Sequence, residues 1–155
     1  MLEPKSINWL YNKQFFIPHY QRGYRWTDTQ VKQLLNDIDS FMPTQLPNNP
    51  NEKTFYCLQP IAVKLLSEEV KNEFNLEGDW YEVIDGQQRL TTISLILQYI
   101  NQKWRGEDKL DQFTIFYETR KGSAEYLKNL KVNSDDTVSI NKEFIDYYYF
   151  SKALP

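Results

Sequence analysis

Apolar residues recur at steps of three and four along Leu90, Ile93, Leu97, Ile100 and Trp104, the spacing of one helix face, and Leu95 and Ile96 widen it. A helix apolar over so much of its circumference is expected to be buried. Just before it stands Trp80-Tyr81-Glu82-Val83-Ile84, aromatic and β-branched as strands prefer. Between the two lies a polar turn, Asp85-Gly86-Gln87-Gln88-Arg89. The pattern predicts a strand that delivers a tight turn to the start of a buried helix.

Elsewhere the same rules give a short helical turn over Pro4 to Leu10, with Ser6 as its cap, and a strand over Gln14 to Ile17 stopped by Pro18. Thr27-x-x-Gln30 is a capping box opening a helix with the stripe Val31, Leu34, Leu35, Ile38 and Phe41, ended by Pro43. Pro43 to Lys53 lacks apolar periodicity and reads as a loop. Phe55 to Leu66 reads as one or two strands broken at Pro60, and Ser67 to Asp79 as a hairpin connection. Phe113 to Tyr117 is a strand candidate, Gly122 to Leu130 a helix and Asn133 to Thr137 a loop. Ile140, Phe144, Tyr147, Tyr148 and Phe150 suggest a final aromatic helix leading into, or resting on, a further domain. The pattern thus predicts several strands and helices, with residues 1–130 as the domain and 131–155 as a helical carboxyl-terminal segment.

The chain of 155 residues, 41% hydrophobic, is long enough for one domain with its own core. A net charge of -3 argues against a surface that clamps nucleic acid over its whole extent, so an anion site must be local. Cys57 is the single cysteine and His19 the single histidine. A disulfide framework, a cysteine-rich metal site and a histidine-based nuclease centre are therefore excluded from this chain alone. Cys57 is expected to be a small buried residue in a reducing cytoplasm. No G-x-x-x-x-G-K occurs, which excludes a Walker-type loop, and neither an export signal nor a membrane span is read.

The turn at Asp85 is the first candidate site. The plainer reading is a capping box, Asp85 with Gln88, which needs no ligand. Gly86 in a first turn costs about 1 kcal/mol against alanine, and Arg89 has the wrong sign for the helix dipole. Both make sense if a phosphate approaches over Gly86 and pairs with Arg89 at the amino end of the helix. The second candidate is Ile17 to Trp26, where Arg22 and Arg25 interleave with Tyr20, Gln21, Tyr24 and Trp26. Guanidinium groups and flat rings in one segment suit a nucleotide; alternatively the rings belong to the core and the arginines face water.

Together, I-P-x-Y-Q-R-x-Y-x-W at Ile17 to Trp26 and D-G-Q-Q-R-L-T-T after the Trp80 strand resemble the amino-terminal domain of GmrSD-type proteins, over about Ile7 to Gln102. That resemblance implies an α+β fold of the ParB/sulfiredoxin-like kind, a small mixed sheet packed by helices, and a type IV, modification-dependent restriction system that defends bacteria against phage with modified DNA. It implies a domain that binds and hydrolyses nucleoside triphosphate with Mg²⁺, and a separate carboxyl-terminal HNH-type domain that cuts DNA, so no nuclease activity is expected from this chain. Gly86, Arg89, Tyr20, Gln21, Arg22, Tyr24 and Trp26 would bind nucleotide; Asp85, Gln87 and Gln88 would serve the chemistry, Asp85 holding Mg²⁺ or a sugar hydroxyl and one glutamine orienting water. Where relatives carry a glycine after a leucine in the second strand, this chain has Leu58-Gln59-Pro60. The competing reading is a binding module without catalysis, using the same surface to recognise modified DNA or a partner domain.

Overall fold

Central to the fold is Gln14–Ile17 (β1), a four-residue strand with Phe15, Phe16 and Ile17 all buried. In the computed structural model, which describes residues 5–103, 109–132 and 138–139, β1 runs parallel to Trp80–Asp85 (β5) on one side and to Thr114–Tyr117 (β6) on the other. Ala62–Leu65 (β4) adds antiparallel to β5, giving the order β4-β5-β1-β6 and the expected mixed sheet.

Alternation along these strands feeds two cores. Phe15, Ile17, Val83, Ile115 and Tyr117 point to one face, where Leu90, Ile93 and Leu97 of the helix Gln87–Lys103 (α3) cover them. Phe16, Trp80 and Phe116 point to the other, packed with Leu66 and with Val70 and Phe74 of the helix Glu68–Phe74 (α2). The strand, turn and buried helix therefore stand where the hydrophobic pattern put them, except that Ile100 is exposed; Trp104 lies outside the described residues. The 3-10 turn Ile7–Leu10 and the helix Asp28–Ser40 (α1) also match, and Gln30 Oε1 accepts the Thr27 N–H at 2.8 Å. Only Leu34 of the α1 stripe is buried; Leu35 and Ile38 are exposed. Ser123–Asn129 (α4) is the expected helix after β6.

Three expectations are corrected, and the one or two strands expected over Phe55 to Leu66 come down to one. Pro43 to Lys53 is not a loop: Gln45–Leu46 (β2) pairs antiparallel with Asn49–Lys53 (β3) around Pro47-Asn48. This hairpin is largely exposed, so burial leaves no trace of it in the hydrophobic pattern. Within Phe55 to Leu66 only β4 is a strand. It lies at the sheet edge with a register shift at Ala62/Val63, as suits a chain emerging from Pro60. Ser67 to Asp79 does link antiparallel strands but contains α2, whose signals are local. Ser67 Oγ accepts the Val70 N–H, Glu68 and Glu69 stand in the first turn, and Asn75 closes the helix at φ 53°. Cys57 is exposed, because the segment before β4 lies outside the sheet.

Lys131–Val132 (β7) pairs with Val138–Ser139 (β8), so the segment expected to be helical from 131 begins with strand pairing. The loop expected at 133–137 and the aromatic helix expected after 139 lie outside the described residues.

Candidate functional site

The turn between β5 and α3 differs in one detail from a capping box. Asp85 ends the strand, α3 begins at Gln87, and the residue between is Gly86 at φ +86°. Asp85 Oδ1 accepts the Gly86 N–H at 2.8 Å, and the Gly86 carbonyl takes the first helical bond, from Leu90 at 3.0 Å. The N–H groups of Gln87, Gln88 and Arg89 point out of the first turn, and among the described residues no side chain caps them.

Gly86 has a local explanation. A β-carbon there would lie 3.0 Å from Ile61 Cα and 3.1 Å from the Pro60 carbonyl oxygen, so the chain's own backbone, rather than a ligand, makes the close approach. Arg89 faces the same segment, donating to the Pro60 carbonyl at 3.3 Å and to Gln59 Oε1. Pro60 and Ile61 thus cover Gly86, while Gln59 and Pro60, the residues that depart from the pattern of the relatives, engage Arg89.

Residues 20–26 lie against this turn. Gln21 Nε2 donates to the Val83 and Ile84 carbonyls at 2.7 and 2.9 Å, past Glu82, the last β5 residue paired with β1. Its amide therefore continues the ladder where the strand stops. Tyr20 is 62% exposed and donates its hydroxyl to Glu82 at 2.9 Å. Tyr24 is buried, its hydroxyl 3.0 Å from Thr92 Oγ1, and burial raises its pKa, partly offset by that bond. Trp26 is half-buried, and Arg22 and Arg25 are exposed.

Both glutamines of the turn reach back to this segment. Gln87, 4% exposed, donates through Nε2 to the Arg22 carbonyl at 2.5 Å and accepts at Oε1 from the Tyr117 hydroxyl at 3.1 Å. Gln88 donates to the Gly23 carbonyl at 2.9 Å and accepts the N–H groups of Arg25 and Trp26 at 2.6 and 3.2 Å. Tyr117 Oη also stands 2.7 Å from Thr91 Oγ1, and burial pushes its pKa well above that of an ordinary tyrosine, so it stays a neutral donor. Tyr117, Thr91 and Thr92 were not candidates from the sequence. The available signal was two threonines one helical turn after Gln87 and Gln88, both fully buried in a helix whose buried positions also include Ser94 and Gln98.

The fold and this joint define an α+β domain whose two motifs, far apart in sequence, form one surface at the carboxyl end of a strand and the amino end of a helix. The chain belongs to the family described as GmrSD restriction endonuclease, N-terminal domain, whose sequence profile matches residues 7–153. It is thereby a restriction-system module. Comparison with curated proteins and with solved structures gave no match. No helix among the described residues is long and apolar enough to cross a membrane, and no group of three or more His, Cys, Asp or Glu among them forms a metal-binding cluster.

Proposed function

We propose that this domain binds a nucleoside triphosphate with Mg²⁺ at the amino end of α3. On this reading hydrolysis regulates a restriction system directed at modified DNA in the cytoplasm, and an HNH-type domain outside this chain cuts. The observation that carries the reading is the joining of the Tyr20–Trp26 segment to the Asp85–Arg89 turn around uncapped helix N–H groups. Those N–H groups and the positive end of the helix dipole suit phosphate. Arg89 would exchange its neutral partners, Pro60 and Gln59, for a charged one, and Arg22 is an exposed second cation. Tyr20 and Trp26 retain accessible ring surface for base or ribose.

The donor set also fits Mg²⁺. Asp85 is exposed and spends one oxygen on Gly86, leaving the other for the cation. With a single carboxylate at the turn, phosphate oxygens and water would supply the other ligands, the usual arrangement for this ion. Bound there, Mg²⁺ would neutralise charge on the phosphates.

Titration of the purified protein with nucleoside triphosphates tests the assignment. Arg89→Ala is expected to weaken binding by about tenfold to a hundredfold, the loss of a hydrogen bond to a charged group. Unchanged affinity would remove Arg89 from the site.

A binding module without turnover is the second reading, favoured by one observation: the side-chain amides of Gln87 and Gln88 are both engaged by protein groups. Phosphate release with and without Mg²⁺ and DNA separates the two. Turnover abolished by Asp85→Ala is the expected result; tight DNA binding by a wild type that releases no phosphate selects the binding module.

A further inference from the structure

We infer that Gln87 and Gln88 are positioning residues of this site: they fasten the Arg22–Trp26 backbone to the first turn of α3 and do not orient the attacking water. The inference rests on the nucleotide-site reading and assigns its two glutamines a different task. A side-chain amide offers one oxygen with two lone pairs and two N–H donors. The Gln88 oxygen takes two backbone N–H groups, Arg25 at 2.6 Å and Trp26 at 3.2 Å, and so is filled. Its nitrogen holds the Gly23 carbonyl at 2.9 Å. The Gln87 oxygen takes the Tyr117 hydroxyl inside the protein, in a side chain only 4% exposed, and its nitrogen holds the Arg22 carbonyl. A glutamine that aligns water against a phosphate needs an oxygen open to solvent, and neither offers one.

What the pair does provide is registration. Four bonds to the main chain of residues 22–26 fix where that segment runs without fixing its side chains, so Arg22 and Trp26 are presented beside the turn. Thr91, one turn after Gln87, stands 2.9 Å from the Gln87 carbonyl, its single proton shared between that carbonyl and the Tyr117 oxygen, and Thr92, one turn after Gln88, donates to the Gln88 carbonyl at 2.9 Å. Those threonines in turn meet Tyr117 and Tyr24, at 2.7 and 3.0 Å. The clamp is therefore anchored in β6 as well as in the segment it holds.

Gln88→Leu removes three of the clamp's four bonds while nearly preserving volume. With each of the four ribonucleoside triphosphates plus Mg²⁺ as probe, the variant is expected to raise the dissociation constant at least about tenfold and to leave kcat within about threefold, as lost positioning of binding groups does. The Arg25 and Trp26 amides should lose hydrogen-exchange protection while those of Phe15 and Val83 keep theirs. A kcat that collapses with affinity and protection unchanged would place Gln88 on the reacting atoms and overturn the inference. If the wild type binds no triphosphate, the nucleotide reading fails and the role in that site falls with it. Exchange at Arg25 then reports separately whether the clamp exists. Should Gln88→Leu not fold, the wild type suffices for the clamp: an Arg25 amide exchanging as fast as an unstructured peptide would refute it.

Discussion

Replacing Gly86 with alanine is expected to destabilise the domain by about 2–5 kcal/mol. Two costs contribute. A left-handed backbone costs a non-glycine residue about 1–2 kcal/mol, and Gly86 sits at φ +86°. Forcing a methyl group into packed surroundings typically costs about 1–3 kcal/mol; here it would meet Ile61 Cα and Cγ1 at 3.0 Å and the Pro60 oxygen at 3.1 Å. Two of those three atoms are main chain and cannot swing away. Urea unfolding measures the change. A variant that loses nucleotide binding while its unfolding midpoint stays put would mean that the glycine serves a ligand rather than the Pro60–Ile61 crossing.

Phe15→Ala should cost about 3–5 kcal/mol, as large-to-small substitutions of buried aromatics do. Phe15 is 0% exposed at the middle of the central strand, with the Phe113 ring edge-on at 5.5 Å and Tyr81 at 6.1 Å. The neighbours come from strand, loop and helix and cannot all collapse into the space. Phe55→Ala is the internal control: Phe55 is 75% exposed, and its loss should change stability by less than about 0.5 kcal/mol. Equal effects in denaturant melts would mean that the core is not where it is drawn here.

The strands and α3 were legible in the sequence because burial writes itself as periodicity. Phe15, Ile17, Val83, Leu90, Ile93 and Leu97 all lie in one core. Elements held by exposed backbone pairing leave no such mark, which is why the β2–β3 hairpin read as a loop. The helix α2 was hidden differently. Its apolar contribution is little more than Val70 and Phe74, so it showed only in its caps, Ser67 and Asn75.

At the turn, the sequence singled out the residues that depart from helix-start rules, Gly86 and Arg89, without saying what they meet. Their partners, Gln59, Pro60 and Ile61, arrive from a segment with no regular structure, and such tertiary proximity has no signature in local spacing. The side-chain amides of Gln21, Gln87 and Gln88 likewise looked chemical because glutamine is polar. Their observed partners are main-chain groups and Tyr117, a distinction that requires coordinates.

The placement of β1 bears on how the domain is assembled. Its first residue pairs with Trp80 and with Thr114, so the earliest strand in the chain waits for the latest strand of its own sheet. Loop-closure entropy must be met before either ladder forms, the condition under which folding is slow. On a ribosome, Phe15, Phe16 and Ile17 could be covered on the β5 and helix side first, but their β6 edge stays open until Tyr117 has emerged, and the Arg22–Trp26 segment would have nothing to fasten to until α3 exists. The central strand of the sheet is accordingly completed last, from partners that arrive from both sides of it long after it in sequence.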